Sequence, residues 1–145
     1  REVKEIAYNL LPPELEKGFL NAIERLAHRI SSIGQIQFVI DIEDEIQEDD
    51  LNHVDKFNLY RIIQELFNNS LKHAKATEFT IRVKKHNGGI LIMAMDNGIG
   101  FEIDEVEKGL GIENIQYRMN MAGIEGRFES SKNQGTSVTM QLRSN

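Results

Sequence analysis

The sequence predicts an α+β domain: a two-layer sandwich in which an antiparallel or mixed sheet is covered by helices on one face. Three observations predict it. Apolar residues recur at helical spacing in several stretches and alternate with polar ones in others. The strand-like stretches come in pairs, with turn residues between them. The chain has 145 residues, 40% hydrophobic and 28% charged, the size and balance of one domain with one sizeable core.

The elements follow in order. Residues 1–9 are charged and helix-compatible, with Val3, Ile6, Ala7 and Leu10 on one stripe. Leu11-Pro12-Pro13 interrupts them, because proline cannot continue a helix interior and restricts the residue before it. Pro13-Glu14 then starts a second helix over about 13–32, with Leu15, Phe19, Ala22, Ile23, Leu26, Ile30 and Ile33 inside and Gly34 as its stop. Residues 35–42 alternate and read as a strand. Residues 43–50 are an acidic loop, a solvated connection without the spacing of a calcium loop. Asp55 is the expected N-cap of a helix reaching about residue 74, whose core stripe is Leu59, Ile63, Leu66, Ser70 and Ala74. Two strands, 77–85 and 89–95, flank the hairpin signal Asn87-Gly88-Gly89. Residues 96–108 are loop, 109–122 helix, and 127–131 with 136–142 a final strand pair.

Composition narrows the function. The formal net charge is −6, and a nucleic-acid-binding domain is usually basic, so no nucleic-acid partner is expected. An acidic chain still binds a phosphorylated ligand when backbone amides and a metal ion carry the charge. The absence of Cys excludes disulfides, zinc–thiolate sites and thiol catalysis. No apolar run approaches the roughly 18 residues of a membrane span, and no signal peptide is visible. Arg1 opens a helix-like pattern without Met, as expected of a piece of a longer protein.

Four segments carry the chemistry. In Glu65-Leu66-Phe67-Asn68-Asn69-Ser70-Leu71-Lys72-His73-Ala74, Glu65 and Asn69 stack on one helix face and Lys72 lies on the same side. Glu65 suits a general base. Asn69 offers a neutral oxygen to Mg²⁺, which keeps few protein ligands when phosphates supply the rest. Lys72 can balance phosphate charge. In Asp96-Asn97-Gly98-Ile99-Gly100-Phe101, the glycines let the backbone approach a flat ligand closely. Asp96, at a strand end, can accept a hydrogen bond from an exocyclic amine. Ile103 stands where a dinucleotide fingerprint needs its third glycine, and there is no Walker A sequence. Gly109-Leu110-Gly111-Ile112 opens a helix, where amides favour phosphate oxygens. Gly135-Thr136 heads the last strand. Each segment alone has an ordinary structural explanation; the four in this order do not.

Together they resemble the ATP-binding catalytic domain (HATPase_c) of bacterial two-component sensor histidine kinases, in the GHKL superfamily. Glu65, Asn69, Lys72, His73 and Ala74 resemble its N box, Asp96 to Phe101 its G1 box, and Gly109 to Ile112 its G2 box. The likeness covers about residues 50–143. The stretch from Leu11-Pro12-Pro13 to Leu26 resembles the domain entry of the nitrate-sensor-like (HisKA_3-type) subfamily. On this likeness residues 1–12 are the end of a dimerisation and phosphotransfer helix, and 13–145 the catalytic domain with the Bergerat fold. The resemblance implies ATP and Mg²⁺ as ligands. Glu65 is then the base, Asn69 the Mg²⁺ ligand, and Lys72 and His73 lie near the phosphates. Asp96 binds the adenine amino group, Gly98 and Gly100 shape its pocket, and Thr136 supports Asp96. Gly109, Leu110 and Gly111 hinge a short ATP lid over 101–108, and Ile112 completes the ATP-binding set. Arg118 matches a family arginine of either structural or nucleotide-facing role.

The implied activity is transfer of the γ-phosphoryl group to a histidine, then to a response-regulator receiver domain. The full protein would be a homodimer, with this domain cytoplasmic and an anchor in the bacterial inner membrane elsewhere. None of the four histidines is followed by an acidic residue, as the acceptor is in this subfamily, so the acceptor is expected upstream of Arg1. His28 reads as packed or surface, His53 and His86 as surface. The competing readings are a GHKL serine kinase of the anti-sigma-factor type, a conformational ATPase module with a longer lid, and a non-catalytic ATP-binding module.

Overall fold

The computed structural model describes residues 13–32, 36–71, 75–100 and 112–143. The expected helix over 1–9, the dimerisation-helix tail at 1–12 and the helix stop at Gly34 lie outside them.

Helix α1 spans Phe19–Ser31, α2 His53–Asn69 and α3 Ile112–Ala122. Strand β1 spans Gln37–Ile42, β2 Glu78–His86, β3 Gly89–Asp96, β4 Glu125–Ser130 and β5 Thr136–Arg143. They form a five-stranded sheet in the order β1-β2-β3-β5-β4. β1 pairs parallel to β2, and every other pair is antiparallel. The sheet is therefore mixed. The parallel pair needs a crossover, and α2 supplies it.

The period of two in each strand sorts the faces. Phe79, Ile81 and Val83 of β2, Ile90, Ile92 and Ala94 of β3, and Val138, Met140 and Leu142 of β5 are buried. They meet Leu59, Ile62, Ile63, Leu66 and Phe67 of α2 and Phe19, Ile23 and Leu26 of α1 in one cluster. Phe38, Phe67 and Phe79 sit with ring centroids 5.3–5.5 Å apart, tilted or edge-on, locking β1 and β2 to α2. The opposite face carries Arg82 and Arg127, both exposed. α3 buries Ile115 and Met119, and Arg118 stacks over the Phe57 ring at 5.9 Å. The arginine thus ties α3 to α2.

Three local expectations change. The single helix expected over 13–32 is a 3₁₀ turn at Pro13–Leu15 followed by α1. Gly18 separates them at φ +98°, a left-handed conformation no helix interior allows. The acidic loop is not merely solvated. The Glu48 carboxylate accepts from the backbone N–H groups of Phe19 (3.1 Å) and Leu20 (2.8 Å), satisfying donors at the start of α1. It also pairs with Lys56 at 2.9 Å. A Cβ on Gly18 would stand 2.7 Å from Glu48 Cδ, so the glycine makes room for the cap. Finally, the N-cap of α2 is Asn52, not Asp55. Asn52 Oδ1 accepts from Asp55 N–H at 2.8 Å. Asp55 lies in the first turn, where a carboxylate favours the helix dipole.

Candidate nucleotide site

Two apolar rows end in polar residues, and those residues meet. On β3, Ile90, Ile92 and Ala94 face the helices, so Asp96 two residues on shares their face. On α2, the stripe Leu59, Ile63 and Leu66 reaches Ser70. There the backbone turns π-helical at residues 70–71, a distortion frequent at functional sites. The Ser70 hydroxyl lies 2.7 Å from Asp96 Oδ2 and 3.1 Å from the Leu66 carbonyl. Ser70 is only 1% exposed.

The other carboxylate oxygen is held by backbone. Asp96 Oδ1 accepts from Gly98 N–H at 2.9 Å and Thr136 N–H at 3.2 Å. Thr136 is in reach because register opposes it to Asp96 across β3 and β5. The resemblance implies that Thr136 supports Asp96. In the structure its N–H makes the contact, while its hydroxyl pairs with Ser130 at 2.9 Å.

The loop after Asp96 is stitched down. Asn97 Oδ1 accepts from Thr77 N–H and Glu78 N–H, both at 2.9 Å, and Asn97 Nδ2 donates to Thr77 Oγ1. Asn133 N–H donates to the Ile99 carbonyl. Gly100 (φ +66°) and Gly135 (φ +76°) permit the close backbone packing. A Cβ on Gly135 would come 2.3 Å from the Asp96 carbonyl oxygen. Gly98 is buried.

Glu65 and Asn69 sit four residues apart on α2, both half-buried, and Asn69 immediately precedes Ser70. Ile112 is the first residue of α3 and half-buried. Lys72, His73, Gly109, Leu110 and Gly111 lie outside the described residues, as does the lid segment 101–108. Ser70 is buried, as its place in the core stripe predicts, and its hydroxyl also reaches Asp96, which the stripe does not predict. The one trace of that contact in the sequence is a hydroxyl at a stripe position otherwise apolar, which by itself names no partner.

The site therefore offers a fixed, half-buried carboxylate, which is acceptor-only when ionised. On α2, Asn69 next to Ser70 carries a neutral amide oxygen, and Glu65 one turn earlier carries a carboxylate. Residues 54–145 match the family described as "Histidine kinase-, DNA gyrase B-, and HSP90-like ATPase".

The chain belongs to this ATPase family.

It is 27% identical over 143 residues to the sensor histidine kinase LiaS of Bacillus subtilis (strain 168), covering 97% of this chain and 39% of LiaS. It is 30% identical over 148 residues to the sensor histidine kinase MctS of Rhizobium johnstonii, covering 98% of this chain and 31% of MctS. The chain thus spans under two fifths of these relatives. In fold it resembles the Erythrobacter litoralis EL346 blue-light activated histidine kinase, with a TM-score of 0.68 at 20% identity over 83% of this chain and 40% of that one. The Acinetobacter baumannii histidine kinase AdeS gives a TM-score of 0.68 at 12% identity, over 88% and 66%. This ATPase-family domain is homologous to the catalytic domains of sensor histidine kinases. No helix among the described residues is long and apolar enough to cross a membrane.

Proposed function

We propose that the domain binds Mg²⁺-ATP between the end of α2 and the Asp96 loop. In the full protein it would pass the γ-phosphoryl group to a histidine. The observation that carries this is the Asp96 arrangement. Three donors orient the carboxylate, and a lone pair remains for an exocyclic amine. The donor set also fits the metal: Asn69 supplies one neutral oxygen, and phosphates complete the shell of a hard cation.

In this reading Asp96 accepts from the adenine amino group. Gly98 and Gly100 leave the base space, and Thr136 holds Asp96 through its N–H. Asn69 ligates Mg²⁺, and Lys72 and His73 lie by the phosphates. Gly109, Leu110 and Gly111 hinge the lid, and amides from Gly109 to Ile112 favour phosphate oxygens. Bound ATP supplies the phosphoryl group. Glu65 takes the proton or orients the nucleophile, and the remaining catalysis is positioning and charge neutralisation. The acceptor histidine belongs to another part of the protein, because the four here lack an acidic follower. An aspartate of a response-regulator receiver domain is the next acceptor, and the full protein acts as a homodimer. Leu11-Pro12-Pro13 and the short 101–108 segment support the nitrate-sensor-like subfamily. This domain works in the cytoplasm.

Mixing the chain with γ-labelled ATP and its partner dimerisation domain tests the reading. Acid-labile, base-stable label on histidine is expected, falling about a hundredfold or more in Glu65→Gln on general-base arithmetic. Acid-stable label on serine contradicts it.

A further inference from the structure

We propose that Ser70 is a positioning residue for base recognition, acting through Asp96. The inference rests on the reading of Asp96 as the adenine contact and adds a second residue to it.

The proton count decides which way the hydroxyl points. A serine has one donor hydrogen, and Ser70 Oγ faces two acceptors, the Leu66 carbonyl and Asp96 Oδ2. The Leu66 carbonyl already receives the Ser70 backbone N–H. The Asp96 contact is the shorter, 2.7 against 3.1 Å, and a carboxylate is the stronger acceptor. The proton therefore goes to Asp96.

This matters because the carboxylate torsion of an aspartate is soft. The two backbone donors both act on Oδ1. They anchor one oxygen and leave rotation about it. The Ser70 hydroxyl fixes the second oxygen and with it the carboxylate plane. Oδ2 is then presented at one angle, with one acceptor direction left for a ligand amine. The same hydroxyl has a second consequence. Ser70 follows Asn69 directly, so the bond fixes the metal-side end of α2 against the base-side end of β3.

The test compares two nucleotides on the intact 145-residue chain: a non-hydrolysable ATP analogue and the matching purine riboside analogue that lacks the 6-amino group. Wild type favours the first. Ser70→Ala, close in volume, should bind the ATP analogue about tenfold more weakly and the deaminated one unchanged. Ser70→Cys, a poorer donor, should show a smaller loss in the same direction. Adding Ser70→Ala to Asp96→Asn should cost almost nothing further, as for two groups acting as one unit. Thermal unfolding checks that each variant is folded. Equal loss on both nucleotides makes Ser70 a purely structural residue and overturns the proposal. So does an unchanged preference in Ser70→Ala while Asp96→Asn loses it; the base reading then survives alone. No preference in wild type overturns both.

Discussion

A Cβ added at Gly100 would stand 2.1 Å from the Ser131 carbonyl oxygen, and one at Gly88 would meet nothing within 4 Å. Both glycines have positive φ, +66° and +75°. Gly88→Ala therefore pays the left-handed backbone cost alone, about 1–2 kcal/mol. Gly100→Ala pays it and a backbone clash, and should cost about 2 kcal/mol more, within the range of strained or overpacked sites. Urea titration of the two variants gives the order. Equal costs would mean that the Gly100 and Gly135 turns are not packed against each other. Gly100→Ala should also weaken nucleotide binding, because the loop it displaces holds Asp96. At this scale the sequence was partly legible. Asp96, Gly98 and Gly100 stand out in the sequence by type and order. Ser70 does not, because a serine in a helix stripe is common and its partner lies 26 residues away on another element.

Two helix starts show how elements are set by residues distant in sequence. α2 is capped locally by Asn52. Asn52→Ala should cost about 1 kcal/mol. α1 is capped by Glu48, 28 and 29 residues away, and Glu48→Ala should cost about 1–3 kcal/mol because its donors lose a charged acceptor. The periodicity of 13–32 could not reveal the break at Gly18, since apolar spacing continues across it. The acidic run 43–50 could not reveal which carboxylate turns inward. Burial pushes the Glu48 carboxyl up, but the Leu20 and Phe19 N–H groups and Lys56 together hold it below its ordinary 4.5. A folded value below the unfolded one adds stability at neutral pH, which is lost as pH falls below 4.5 and through the folded value. Asp55 runs the other way. Its burial raises the carboxyl above 3.8, against the pull of its hydrogen bond with Asn52. Its contribution is fullest below 3.8 and declines as pH rises through the folded value. Denaturation at stepped pH should show Glu48→Gln flattening the acid limb. An unchanged limb would place the acid sensitivity elsewhere.

The whole molecule is organised so that one end of a mixed sheet meets one end of a helix. The α+β class and the single helix-covered face follow from paired strands and one-sided patterning, and both were legible. Strand order was not: that β5 lies between β3 and β4 depends on pairing across the segment holding α3. That order nevertheless makes the site, because it sets Thr136 opposite Asp96. A ligand binding only the folded state should stabilise the domain by about 2.7 kcal/mol at a hundred times its Kd, which a thermal scan with and without Mg²⁺-nucleotide checks. The most direct test of the central claim is calorimetric titration of a non-hydrolysable ATP analogue, with and without Mg²⁺, into wild type, Asp96→Ala and Asn69→Ala. The account predicts Mg²⁺-strengthened binding by wild type. It predicts a loss of about tenfold to a hundredfold in Asp96→Ala, the range for hydrogen bonds to a charged group, and no Mg²⁺ dependence in Asn69→Ala. Wild-type affinity in Asp96→Ala, or no binding by wild type at millimolar nucleotide, would contradict it.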